Sequence, residues 1–519
     1  MAIITEKTFS VRNLVKQWRF MVLCGMCAVL VAIGGCRDDE DFLTETGVMV
    51  EFSVDTLRFD TVFTSRGSAT RGIKVYNRND QPVRLSSVVI EGDPGFFRMN
   101  VDGIAANVVN EVDIAAGDSL YIFVEVTIDP DQPLSVSPFV VEDRILIELN
   151  GLQQVIVLEA WGQNANYLPF LNGKGQDYSL CGNGDFVLGD DPRPYVIFGR
   201  LVIDDCTCTV REGTRLYMHG ALIKDTVVTQ NPDQMVFDTS IAYYNDGAIF
   251  VVGQGRLMME GTIQDPIRIQ GDRLEAGFAN IPGQWFGIAL IGGTKGNELS
   301  NVEIKNSAFG VFVDSAAQVS MSQVRISNIS GSGILGRHAS IDAKNCLVSN
   351  TGGQSVLLTY GGEYLFEYCT LASYGNSAAA LVMDNVRCED ILCSQFRLNP
   401  LTARFRNCIV AGSQRDEIQL VNFSEFPEDL DYRFEHCVVR VDELPEQDAY
   451  TNFFDYCTPC LNISASDPLF LDGSAGDWSL DSLSVADGYA TPIPGVSFDL
   501  IGTPRDPLSP DAGALELQL

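Results

Sequence analysis

Val302-Glu-Ile-Lys-Asn-Ser307, Val324-Arg-Ile-Ser-Asn-Ile329, Ile341-Asp-Ala-Lys-Asn-Cys346, Phe366-Glu-Tyr-Cys369, Phe405-Arg-Asn-Cys408 and Phe434-Glu-His-Cys437 repeat one short pattern. Their last residues lie 22, 17, 23, 39 and 29 positions apart. Alternation of apolar and polar residues reads as a strand with one face inward. A strand-and-turn unit that recurs reads as a coil of roughly 20–25 residues, with insertions in the two longest intervals. One coil alone exposes its apolar face, and stacking the coils buries it. Long helical periodicity is absent.

The same grammar extends outward from about residue 198. Glu212-Gly-Thr214 and Glu260-Gly-Thr262 lie beside apolar strands, and Pro266-Ile-Arg-Ile269 and Trp285-Phe-Gly-Ile288 follow the second. These residues resemble right-handed parallel β-helix proteins, in which such phrases mark successive turns. Asp467-Pro-Leu-Phe470, Asp477-Trp478, Ala486-Asp-Gly488, Gly502, Arg505 and Pro510-Asp-Ala-Gly-Ala-Leu-Glu516 come later. They resemble the closing segment of Bacteroidetes surface β-helix proteins of the choice-of-anchor Q type. Ala512 and Leu515 stand where the usual form has Ile and Tyr. The resemblance covers roughly residues 198–519 and implies a fold rather than a reaction.

Residues 46–163 read differently. Short β-rich runs at 48–54, 72–76, 83–90, 120–128, 145–149 and 155–160 are separated by turn-formers. Asn150-Gly151 between two apolar runs predicts a hairpin, since both residues tolerate positive φ. Leu120–Ile128 is apolar at nearly every position and predicts a strand covered on both sides. About seven strands fit an immunoglobulin-like β-sandwich. Ile73-Lys-Val-Tyr-Asn77, Leu85–Ile90, Phe96-Phe97, Ile114-Ala-Ala-Gly117 and Val124-Glu-Val-Thr-Ile128 resemble the Ig-like modules of cilia-associated and bacterial surface proteins. Such modules serve as spacers or interaction domains.

The N-terminus carries an address. Lys7, Arg12, Lys16 and Arg19 precede an uncharged run, Phe20 to Ile33, and then Gly34-Gly35-Cys36. That order predicts a secretory signal, and the run is short of the roughly 20 residues that span a bilayer. Small residues directly before a cysteine look like a lipobox, which implies cleavage before Cys36 and lipid on its thiol. Arg37-Asp38-Asp39-Glu40-Asp41 reads as a solvated tether; it also resembles the surface-export signal of Bacteroidetes lipoproteins. The expected organisation is all-β: signal 1–35, acidic tether 36–45, Ig-like sandwich 46–163, linker or N-terminal cap 164–197, right-handed parallel β-helix 198–475 and C-terminal cap 476–519. The membrane is then a partner through the lipid, and the expected location is the outer membrane, facing the cell surface.

A net charge of −33 argues against nucleic acid as a partner, because an acidic surface repels phosphate backbones. No catalytic residue is assigned. His219, His338 and His436 are scattered, and neither metal-ligand spacing nor a glycine-rich phosphate loop is present, so no metal and no cofactor is expected. Asp190-Asp191 and Asp204-Asp205 are adjacent acids, which a strand would send to opposite faces. Arg325, Arg337 and Lys344 fall near successive turns and are candidates for one basic face.

Eleven cysteines follow Cys36, so at least one thiol stays free. Cys346, Cys369, Cys408 and Cys437 hold equivalent repeat positions and predict an inward stack of small apolar side chains. Cys457-Thr-Pro-Cys460 predicts a local disulfide, and Cys388 with Cys393 a second. Cys206-Thr-Cys208 has no assigned role. Tyr360, Tyr364, Tyr368 and Tyr374 beside paired glycines are candidates for stacking a sugar ring, against packing in the coil. Three functions stay open: binding of an extracellular glycan or other partner, a polysaccharide lyase or glycoside hydrolase, and a structural stalk or adhesin.

Overall fold

The computed structural model describes residues 41–518 apart from 65–66, 69, 93–94, 129–138, 170–176, 221, 232–235, 276, 391–392 and 474. The signal, Cys36 and the acids up to Glu40 lie outside the described residues. The chain divides into two compact units near Ala160.

The first unit is a β-sandwich of two five-stranded sheets. One holds Thr56–Phe63, Leu152–Gln163, Phe139–Leu149, Val83–Ile90 and Val108–Ile114; the other holds Glu51–Phe52, Arg71–Tyr76, Ser119–Val126, Phe97–Val101 and Ile104–Ala105. Pairs such as Val83–Ile90 with Val108–Ile114 are antiparallel. Inward residues of both sheets meet between them, and Phe59 and Phe97 lie 6.0 Å apart there. Asn150 and Gly151 both take positive φ and make the expected hairpin turn. Ser119–Val126 departs from the sequence expectation. Its burial alternates: Ile122 and Val124 are buried, but Tyr121 and Phe123 are exposed. The apolar outer positions are an open aromatic pair, with rings 5.6 Å apart and Lys74 over Tyr121.

The second unit is a parallel β-helix whose coils have three faces. The first face runs from Asn166–Leu168 through Tyr195–Phe198 and Arg215–His219 to Cys437–Val439 and Cys460–Asn462. The second runs from Asp177–Ser179 to Ile418–Val421, and the third from Phe186–Leu188 to Leu430–Glu435. Residues 164–197 are therefore no linker: Asn166–Leu168, Asp177–Ser179 and Phe186–Leu188 are the three sides of a coil. The last parallel strand ends at Asn462, earlier than residue 475.

Register corrects one interval. Val302 pairs with Val324, and Arg325 with Leu347, which stacks Cys346 on Val324 rather than on Ile329. The inward line is Val302, Val324, Cys346, Cys369, Cys408, Cys437, and its first three intervals are each about one coil. The long interval before Cys408 holds an antiparallel hairpin, Val386–Cys388 with Phe396–Leu398, closed by the Cys388–Cys393 disulfide. A larger hairpin, Leu222–Asn231 with Val236–Asn245, interrupts an earlier coil.

Six successive coils turn from third face to first through one left-handed residue. Asn301, Gln323, Asn345, Tyr368, Asn407 and His436 take φ of 50°, 54°, 50°, 51°, 57° and 52°. Asparagine tolerates this region, which explains its recurrence. Beneath the corner, Phe366, Phe405 and Phe434 stack at 5.0 and 4.8 Å with nearly parallel rings. Parallel in-register strands bring equivalent side chains together, so repetition in sequence becomes a ladder in the core.

Candidate functional site

The site is made by the segment after the coils. Residues 464–516 do not cap the end of the β-helix, as expected of 476–519; they run back along its side as a strap. Tyr489 lies against His436, Thr491 against Asn407 and Tyr368, Phe498 against Asn345, and Asp499 against Gln323. The corner residues make these contacts: the side chains of Asn407, Tyr368 and Asn345 donate to strap carbonyls at 2.7, 2.7 and 2.9 Å. The left-handed turn aims each side chain outward, where the strap passes.

Residues 505–516 lock it. Arg505 is buried and donates to Glu516 at 2.7 Å, Asn345 Oδ1 at 2.7 Å and the Gly513 carbonyl at 2.9 Å. Burial pulls the Arg505 pKa down and pushes that of Glu516 up, each partly offset by the other's charge. Asp499 accepts from the amides of Ile501, Thr503 and Glu516. Gly513 sits at φ +92°, where a Cβ would lie 2.6 Å from Ile409 and Thr370. The closing motif is thus a fastening.

The strap does not cover the first face evenly. The outward line of that face reads Arg268, Glu303, Arg325, Leu347, Thr370, Ile409, Val438, Leu461. Its apolar half is buried against Leu469, Leu480, Ile493 and Leu515 of the strap. Where the line turns charged, the strap's edge leaves a groove of about 550 Å³. Lys305, Arg325, Asn328 and Asn350 line its coil side, and Asp477 and Ser479 its strap side. Arg325 is half-buried, its Nε is shielded from solvent, and among the described residues that Nε has no hydrogen-bond acceptor and neither Arg325 nor Lys305 has an ion-pair partner. Glu303, beside Arg325, is taken by Arg268 at 2.9 Å. Asp477 accepts the Ser479 amide at 3.0 Å. Trp478 contributes only an edge, being buried against Tyr374 and Phe470.

The four candidate tyrosines do not form an open platform. Tyr364 lies in the coil interior, its hydroxyl donating to the Gly361 carbonyl at 2.8 Å. Tyr368 is fully buried under the strap, and Tyr374 packs on Trp478. Tyr360 is partly exposed at another corner, beside His338 and Arg387. Glycines and polar hydroxyls made these rings look accessible; an inward position and the strap bury them. The expected basic face also separates. Arg325 is on the first face; Arg337 is on the second, paired with Asp314 at 2.7 Å, and Lys344 on the third, near Glu367 at 3.6 Å.

Cys346, Cys369, Cys408 and Cys437 are free, buried and successive along the inward line. The amides of Cys369 and Cys408 donate to the next sulfur at 3.4 and 3.3 Å. Burial pushes the thiols of Cys346, Cys369 and Cys408 well up, so they stay protonated. Cys457 and Cys460 are disulfide-bonded, and Cys206 bonds to Cys181, leaving Cys208 free and buried. Asp190 pairs with Arg211, and Asp191 with Arg193, which holds the Asp191 carboxyl to about 2. His219 meets Asp272 at 2.9 Å. Among the described residues no group of three or more His, Cys, Asp or Glu is placed to hold a metal.

The groove and strap went unnoticed in the sequence, although a signal exists. Val302-Glu-Ile-Lys and Val324-Arg-Ile-Ser alternate, whereas Thr370-Leu-Ala-Ser373 and Ile409-Val-Ala-Gly412 are buried at every position. Loss of alternation marks the coils whose outer side is covered.

Residues 286–439 match the family described as right handed beta helix region. No curated protein matches the chain. Among solved structures it is similar to a protein of unknown function from Porphyromonas gingivalis, at 19% identity over 22% of this chain and 46% of that one, with a TM-score of 0.17. The chain thus spans less than half of that protein. It is also similar to the catalytic unit of a GH87 alpha-1,3-glucanase from Streptomyces thermodiastaticus, at 10% identity over 71% and 72% of the two chains, with a TM-score of 0.22. Neither likeness says what the groove does.

Proposed function

We propose that this chain is a lipid-anchored protein of the outer membrane, displayed at the cell surface, that holds an extracellular glycan in the groove between coils and strap without cleaving it. The groove carries this reading. It encloses about 550 Å³, is walled by amides, a hydroxyl and charged groups that can bond sugar hydroxyls, and has a donor with no partner among the described residues. Of the adjacent acids, Asp190 is held by Arg211, Asp191 by Arg193 and Asp204 by Ser179. An inverting or retaining glycosidase needs two carboxyls facing one bond. Attachment rests on the charged, apolar, small-residue order that ends at Cys36.

Screening the full chain against immobilised plant, microbial and host glycans is the test, with product release followed in parallel. Saccharide binding that Asn350→Ala and Ser479→Ala weaken, without new reducing or unsaturated ends, is the expected result. Binding that ignores the groove, or turnover, overturns it. For the anchor, a fatty-acid probe fed to the expressing bacterium labels the protein, and Cys36→Ala abolishes the label.

A further inference from the structure

We infer that the groove is selective for an acidic saccharide, whose carboxylate or sulfate is held by Arg325 and Lys305. This rests on the groove being a glycan site and adds the class of glycan.

The chain has 35 basic residues against 68 acidic ones, so carboxylates outnumber the cations that could pair with them. Several arginines on the coils are paired with acids: Arg268 with Glu303, Arg256 with Glu298, Arg337 with Asp314, Arg404 with Asp431, Arg406 with Glu367. Arg325 and Lys305 stand on neighbouring coils of the same face, line the same groove, and have no such partner among the described residues. The nearest acid along the strand stack, Glu303, is drawn off by Arg268 at 2.9 Å. The other acid of the groove, Asp477, sits on the strap and bonds its own turn.

The Arg325 Nε is the sharper observation. It is closed to solvent and bonds to no protein acceptor. A guanidinium has five donors in a planar fork that fits a carboxylate or sulfate with two parallel bonds. Partial burial lowers the local dielectric, so an anion delivered there gains more than one at the open surface. Asn328, Asn350 and Ser479 can then take the hydroxyls of the same sugar. A neutral glycan would fill those positions and leave both cations unanswered.

Calorimetric titration of the full chain with five probes separates the outcomes: polygalacturonate oligomers, the same oligomers with carboxyls reduced to alcohols, a sulfated galactosaminoglycan oligosaccharide, its desulfated form, and inorganic polyphosphate. At least one acidic saccharide should bind, and its reduced or desulfated form should bind tenfold less tightly or not at all. Arg325→Gln and Lys305→Gln, each shown folded by an unchanged melting midpoint, should weaken that binding about tenfold or more, the scale of one charge-assisted hydrogen bond. Higher salt should weaken it further. Polygalacturonate binding that is lost on carboxyl reduction assigns a uronate, and galactosaminoglycan binding that is lost on desulfation assigns a sulfate ester. Neutral and acidic forms binding alike, or indifference to both substitutions, overturns the acidic selectivity while leaving the glycan reading in place. Polyphosphate binding as tightly as the saccharides makes this a general anion site and overturns the inference. Failure of every saccharide probe in this titration overturns the acidic selectivity, and failure of the wider glycan panel as well overturns both.

Discussion

Arg505 lays its guanidinium 3.8 Å from the centre of the Tyr368 ring while bonding Glu516 at 2.7 Å. One residue thus joins the strap's closing segment to two coil corners, through a stacked cation, a bond to Asn345 and a buried ion pair. Breaking a buried pair by removing one partner strands the other charge, a loss of about 3–5 kcal/mol. Arg505→Met should therefore lower stability by that order in urea unfolding. Hydrogen exchange should rise first in residues 490–516. Arg505→Met with Glu516→Leu should recover part of the loss, because no lone charge remains. A double variant less stable than the single one would count against the pair as the fastening.

Gly513 makes a second, independent prediction. Its φ of +92° disfavours any side chain, and a Cβ would meet Ile409 and Thr370 at 2.6 Å. Gly513→Ala should cost about 1–3 kcal/mol or more from strain and overlap. Limited proteolysis should cut the strap at lower protease in the variant while the coils persist. Unchanged cleavage would mean the strap has slack at this point.

For the cysteine line, the neighbours supply the rule. Val302 and Val324 occupy the same inward position two coils and one coil before Cys346. Cys346→Val should leave stability within about 1 kcal/mol, since the site already accepts that volume. Cys408→Ser should cost about 1–3 kcal/mol, because a buried hydroxyl is poorly served where sulfur filled the space. Native thiols at 346, 369 and 408 should resist alkylation until the chain unfolds. Rapid labelling of the folded chain would refute the packing.

Glu417 sets a pH dependence. It is fully buried, its oxygens accept the amides of Ala380 and Gln414 at 2.8 and 2.6 Å, and burial lifts its pKa from 4.5 to about 7 against those bonds. The folded chain therefore holds this proton more tightly than the unfolded one. Its contribution is complete below about pH 4.5 and declines as pH rises toward 7, by about 1.4 kcal/mol per unit. Thermal midpoints followed from pH 4.5 to 7.5 should fall more steeply in the native chain than in Glu417→Gln. Parallel slopes would remove Glu417 as the cause.

What was legible in the sequence was whatever repeats. Phe366, Phe405 and Phe434 recur in one phrase, and in-register stacking makes them a ladder, so the phrase reveals both coil and core. Asn150-Gly151 was readable because its conformation is local. The tyrosines were not readable as buried, since Tyr368 owes its burial to Thr491 and Arg505, more than a hundred positions away. The same distance hid the groove: Arg325 and Asp477 share it only because the strap returns. The 164–197 segment hid its coil for another reason. Its strands are three residues long, too short for alternation to show.

The strap also bears on the order of assembly. Stacked coils touch only their neighbours, so each can close as soon as the next is made. The strap reaches from His436 back past Gln323 toward Ile263, and all of it is synthesised after the coils it grips. Until Arg505 and Gly513 emerge, Leu347, Ile409 and Val438 stand uncovered on a growing solenoid, an apolar stripe open to a wrong partner. Synthesis therefore builds the array first and clasps it last. A chain halted before residue 505 would carry every coil and still lack the part that makes them act as one body.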